Sequence, residues 1–123
     1  MSDSHLVQLM REFDDQLSHV WMVRTFLKHS EEAEEDEELQ EVYRALYDFA
    51  LALGPALNQG DAQRYFTLVR KKFPKFRQAV ELFAQIQPEV STHTNFVMAV
   101  RSLQTALRRM EHLLHQTTQE PPG

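Results

Sequence analysis

The sequence predicts an all-α fold, an antiparallel up-down-up-down four-helix bundle. Apolar residues recur at spacings of three and four through most of the chain, the signature of helices with one buried face. Only three Gly and five Pro occur among 123 residues, and they sit mostly at the edges of the periodic segments. The connections between segments 2, 3 and 4 are short, which sets sequential helices side by side in opposite directions.

Helix 1 is expected from about Ser4 to His29, on the stripe Leu6, Leu9, Met10, Phe13, Leu17, Val20, Val23 and Leu27. Helix 2 reads most clearly from Leu39 through Val42, Tyr43, Leu46, Phe49, Ala50 and Leu53. Its first turns are expected to reach into the acidic run Glu31 to Glu38, because carboxylates are favoured where a helix presents unpaired N–H groups. Gly54-Pro55 is expected to end it. Asp61 is the predicted N-cap of helix 3, which carries Tyr65, Phe66, Val69, Phe73, Phe76, Val80 and Phe83. Pro74 removes one N–H and crowds the carbonyl of Arg70, so a kink is expected there. Gln87-Pro88 is expected to close helix 3, with Pro88 able to open the next segment. Helix 4 carries Phe96, Val97, Val100, Leu103, Leu107, Met110 and Leu114. Residues 1–116 thus read as one domain, and residues 117–123, with Pro121-Pro122, as a disordered tail.

The chain has no Cys, which removes thiolate chemistry and disulfides. Met1-Ser2-Asp3-Ser4 lacks the basic and apolar parts of a signal peptide, and no apolar run is long enough to span a bilayer. A cytoplasmic location without membrane contact is therefore expected. The net charge is −5, which disfavours nucleic acid as a partner. Residues 1–60 hold 13 acids and 4 bases, a net of −9, whereas residues 61–123 hold 5 acids and 9 bases, a net of +4. Folding about the Gly54–Gly60 loop would bring Glu38 and Glu41 near Lys72, Lys75 and Arg77, so the two runs are expected to pair with one another. The acidic run lacks the Asp/Asn and Gly alternation of a Ca²⁺ loop.

Arg24 falls inside the apolar stripe of helix 1, where a guanidinium needs a partner. Glu35, Asp36 and Glu38 lie within reach around the hairpin, so a partly buried ion pair is expected. A stem laid on the core with its head in water is the alternative. On the opposite side of helix 1, Met22 and Phe26 share a face with Asp15, His19 and His29, and Trp21 flanks the stripe. A solitary bundle would be polar there. The surplus apolar face points to a contact surface, most simply a two-fold homodimer, with another protein as the alternative partner.

The six histidines form no metal motif: Glu-x-x-His and His-Glu-x-x-His are both absent. His112 and His115 share a helix face, and His5 would approach them, a trio at fraying ends with no supporting shell. No cofactor or metal is expected. Arg70, Lys71, Lys72, Lys75 and Arg77 surround Phe73 and Phe76, but both rings belong to the core stripe, so stacking on nucleic acid bases is not expected. His93 and Glu111 lie toward the core side of helix 4, where an interhelical pocket could make an enzyme or ligand-binding site. Arg24 followed by His29, and Arg109 followed by His115, resemble the Arg-x(4–6)-His motif of the HEPN family. The resemblance implies an all-α, often dimeric ribonuclease in which Arg holds a phosphate and His moves a proton. Thr25 and Met110 stand where that family usually has a polar residue after the Arg. With no complete catalytic constellation in view, the main expectation is a non-catalytic interaction or assembly module that self-associates through helix 1.

Overall fold

In the computed structural model, which describes residues 3–118, the chain is all-helical with four long helices. They are α1 (Asp3–Lys28), α2 (Glu37–Asn58), α3 (Ala62–Val90) and α4 (Thr94–Thr117), with a short 3₁₀ turn at Glu32–Glu34. There is no strand among the described residues. The part of the expected tail from residue 119 onward lies outside them, while Thr117 closes α4.

The periodic stripes make one core to which all four helices contribute. Phe13 sits at its centre, with edge-on contacts to Phe49, Tyr65 and Phe66 at 6.4, 5.9 and 5.9 Å between ring centroids. Phe49 in turn stacks on Phe76 at 4.4 Å. Edge-to-face and offset pairs of this kind add to the free energy of burial alone.

Three boundaries differ from the sequence expectation. Only Glu37 and Glu38 of the acidic run enter α2, because Asp36 is its N-cap and accepts from the Leu39 N–H at 2.9 Å. The residues before it form the 3₁₀ turn, which Gln40 anchors by donating to the Ala33 carbonyl at 2.7 Å. α2 then runs through Gly54 and Pro55 to Asn58. Ala56 is fully buried and Leu57 packs on the core, so the stripe holds the helix together past its breakers. α3 likewise continues through Pro74 and Pro88 to Val90. Ile86 and Gln87 are still buried and Val90 touches the core, so one more turn contributes more than the carbonyl bond that Pro88 removes.

The turn between α2 and α3 uses both of its special residues. Gly60 takes φ 65°, a left-handed conformation that favours glycine, and the Asp61 N–H then reaches back to the Ala56 carbonyl at 3.0 Å. The Asp61 carboxylate caps α3 as expected, accepting from the Arg64 N–H at 3.1 Å.

α1 and α4 touch along their length. Glu12 meets Arg109 (3.9 Å), His19 meets Ser102 (3.0 Å) and Phe26 meets Phe96 (5.0 Å between centroids). Residue numbers rise along α1 as they fall along α4. α3 and α4 progress in the same way, with Arg70 bonded to Thr117 and Arg77 to Glu111.

Candidate functional site

The outer face of α1 is divided. Met22 is 66 % exposed and Trp21 44 % exposed, and Asp15 and His29 also face solvent. Phe26, expected on the same surface, is half-buried against Phe96 and the core. It lies on the flank that α4 covers, which a wheel of α1 alone does not reveal. His19 is also drawn toward α4: its Nδ1 is hydrogen-bonded to Ser102 Oγ, and no His19–Asp15 pair forms. By the α1–α4 progression, Met22, three residues past His19, comes level with Met98, four residues before Ser102. Met98 is 49 % exposed and was not singled out by the sequence. Pairing helix 4 against helix 1 rung by rung would have found it.

Arg24 does not pair with Glu35, Asp36 or Glu38. Its guanidinium lies 4.9 Å from the Trp21 ring centroid and 4.6 Å from that of Tyr47 on α2. The carboxylate of Asp36 is already committed to the α2 N-terminus, and Glu35 and Glu38 are exposed. Arg24 Nε is buried without a hydrogen-bond partner, as is Thr25 Oγ1. The stem thus lies on the core while the head is held between two π faces, an arrangement favoured by the ring quadrupoles.

His93 is not part of a pocket. α4 begins one residue after it, so His93 is the N-cap: its Nδ1 accepts from the Asn95 N–H at 3.0 Å, and its side chain is exposed. Glu111 lies eighteen residues further along the same helix, about 27 Å away at 1.5 Å per residue, and pairs with Arg77 at 3.4 Å. The two residues do not converge. The two Arg–His pairs are also far apart. Arg109 pairs with Glu12, twelve residues and about 18 Å along α1 from Arg24.

Among the described residues, no three His, Asp or Glu side chains are grouped to hold a metal ion. His112 is hydrogen-bonded to Gln116 at 2.9 Å. One buried ionisable contact does exist. The Tyr65 hydroxyl donates to Asp14 Oδ1 at 3.3 Å. Burial pushes the Asp14 carboxyl up from its ordinary range, with Asp15 adding to the effect and the Tyr65 bond opposing it. Burial, then the charge and bond of Asp14, push the Tyr65 phenol strongly up. Neither group faces a described concavity, so this pair reads as a structural contact.

The charge runs on α2 and α3 face one another without pairing. Arg77 turns instead to α4, stacking over Phe73 at 5.1 Å and pairing with Glu111. Phe73 and Phe76 are buried in the core, as their stripe predicted. Between α2 and α3 runs an open groove of about 480 Å³ that includes Lys71, Lys72 and Lys75 in its wall. Its neighbour, of about 260 Å³, is lined in part by Glu41, Lys75 and Leu82. No helix among the described residues is long and apolar enough to cross a membrane. Comparison with protein-family models, with curated proteins and with solved structures found no match for this chain.

Proposed function

We propose that the chain is a non-catalytic assembly module that self-associates through the outer face of α1, extended by α4. The observation that carries this reading is the exposure of Met22 at 66 % level with Met98 at 49 %, two large flexible apolar side chains on one side of the molecule. Single exposed hydrophobes are ordinary, but two on facing rungs of neighbouring helices make a patch that water solvates poorly. Methionine suits such a contact because its unbranched thioether adapts to the opposing surface. A two-fold pairing places the same patch on both copies.

In this reading residues 1–116 form one antiparallel up-down-up-down bundle, with α3 bent at Pro74, acting in the cytoplasm. Support for the topology comes from the opposite progression of the α1–α4 and α3–α4 pairs. Support for the bend comes from the helix bond that Pro74 denies the Arg70 carbonyl. Another protein could occupy the same face.

Light scattering coupled to size exclusion tests the proposal. Wild type is expected to run as a dimer at high concentration, and Met22→Asp or Met98→Asp as a monomer with unchanged helix content. A wild-type monomer throughout the accessible range would sink the reading. Phe26→Asp is unsuited, since it would damage the core contact with Phe96.

A further inference from the structure

We infer that the trough between α2 and α3 is a binding site for a small amphipathic carboxylate, a medium-chain aliphatic acid with its head at Lys71 and Lys72. The inference is independent of self-association through α1.

The trough exists because its walls are cut low. Ala45 and Ala52 on α2 and Ala79 on α3 line it where larger side chains would close the gap. Beneath them the stacked Phe49 and Phe76 rings form a floor that packing already holds rigid. The two hollows share Ala45 and Lys75, so they form one channel along the helix pair. From Lys71 to Leu82 it extends eleven residues of α3, about 16 Å at 1.5 Å per residue. The larger hollow alone, about 480 Å³, falls within the roughly 300–1,000 Å³ usual for small-molecule sites.

Charge gives the channel a direction. Lys71 and Lys72 stand at one end, beside Leu51 and Ala52, and Glu41 stands at the other, beside Leu82. The three lysines are not in ion pairs, although the sequence led us to expect pairing with α2 carboxylates. Lysine ammonium groups on flexible stems can close over an anionic head while the stems cover the apolar chain behind it. Leu51, 57 % exposed at the same end, gains cover from such a ligand.

The same features argue against other occupants. Asp48 and Glu41 interrupt the basic wall, which would repel the continuous phosphate backbone of a nucleic acid. The Phe49 and Phe76 faces are buried against one another and offer no platform for a base or other flat ring. One anionic head followed by a saturated chain fits what remains.

The test is a titration of the full chain with decanoate, followed by backbone amide resonances. Saturable shifts are expected at Ala45, Ala52, Lys72 and Ala79. Decanol, the neutral counterpart, should bind at least about fivefold more weakly, since each exposed charge contact contributes up to ~1 kcal/mol and 1.4 kcal/mol is tenfold. Lys71→Gln/Lys72→Gln, at exposed positions, should lower decanoate affinity by a similar factor and leave decanol binding unchanged. Ala52→Phe should block both, while Met22→Asp should block neither. Equal affinity for decanoate and decanol would overturn the inference. So would shifts centred on Met22 and Met98, or the absence of saturable shifts in wild type.

Discussion

Asp14 and Tyr65 show how burial alters a side chain that the sequence leaves unremarked. A raised carboxyl pKa means that the folded chain holds a proton which the unfolded chain has released. Stability on this account is highest below the unfolded value, about pH 4, and falls as pH rises through the folded value. Asp14→Asn keeps an acceptor for the Tyr65 hydroxyl and removes the titration. Urea midpoints should show this variant more stable than wild type near neutrality and equal to it below about pH 4. At the alkaline end the sign reverses. The folded chain retains the Tyr65 proton after the unfolded phenol, near pH 10, has lost it, so rising pH favours unfolding. Tyr65→Phe should remove from the alkaline absorbance titration the phenolate step that coincides with loss of helix. Arg24 makes a different point. Two ring contacts contribute about 0.5–1 kcal/mol each, while a buried unpaired donor costs about 1–3 kcal/mol. Arg24→Met, which keeps the stem, is therefore expected to change stability by no more than about 1 kcal/mol. Loss of one partner from a buried ion pair would cost about 3–5 kcal/mol. The sequence correctly marked Arg24 as a charge on an apolar stripe. It could not show that Asp36 was already occupied by three-residue capping geometry, or that Tyr47 would arrive from another helix.

At the scale of the helix, the apolar stripes were legible and the stops were not. Gly54-Pro55 and Gln87-Pro88 both read as ends, yet α2 and α3 pass through them because apolar residues beyond still reach the core. Local propensity is worth a few kcal/mol at most, and a further turn of buried Ala56 or Ile86 with its neighbours is comparable. Two substitutions measure the remaining conflict. A Cβ built at Gly54 meets nothing within 4 Å. Gly54→Ala should therefore stabilise by about 0.5–1 kcal/mol in chemical denaturation. Gly60 also has open space around it, but its φ of 65° makes Gly60→Ala destabilising by about 1–2 kcal/mol. The two glycines look alike in sequence and have opposite roles. Pro74→Ala restores a donor to the middle of α3 and should gain about 1–3 kcal/mol. His93 failed as a pocket residue for the same reason that the helix ends failed. Its place on the stripe assumed that α4 had already begun.

For the whole molecule, the opposite charges of the two halves were visible at once, but not their use. The ion pairs Arg77–Glu111 and Arg109–Glu12 tie α4 to α3 and α1, and both are exposed. Exposed pairs contribute ~0–1 kcal/mol each, so added salt should move the urea midpoint little. The α2 and α3 charges are left to line a trough. One-helix reasoning also misplaced Phe26 and passed over Met98, since both assignments depend on which helix stands beside α1. Side-chain periodicity says which residues face inward; only the arrangement of all four helices says which outward residues become neighbours.

Trp21 is the sole tryptophan of the chain, and it stands at the edge of the exposed Met22 face with a guanidinium over its ring. The protein therefore carries its own optical label at the place where association is proposed. On dilution from high concentration the indole should pass from a drier to a wetter setting, and its emission should move to the red. Met22→Asp should show the dilute spectrum at every concentration, and Arg24→Met should shift the baseline without abolishing the dependence on concentration.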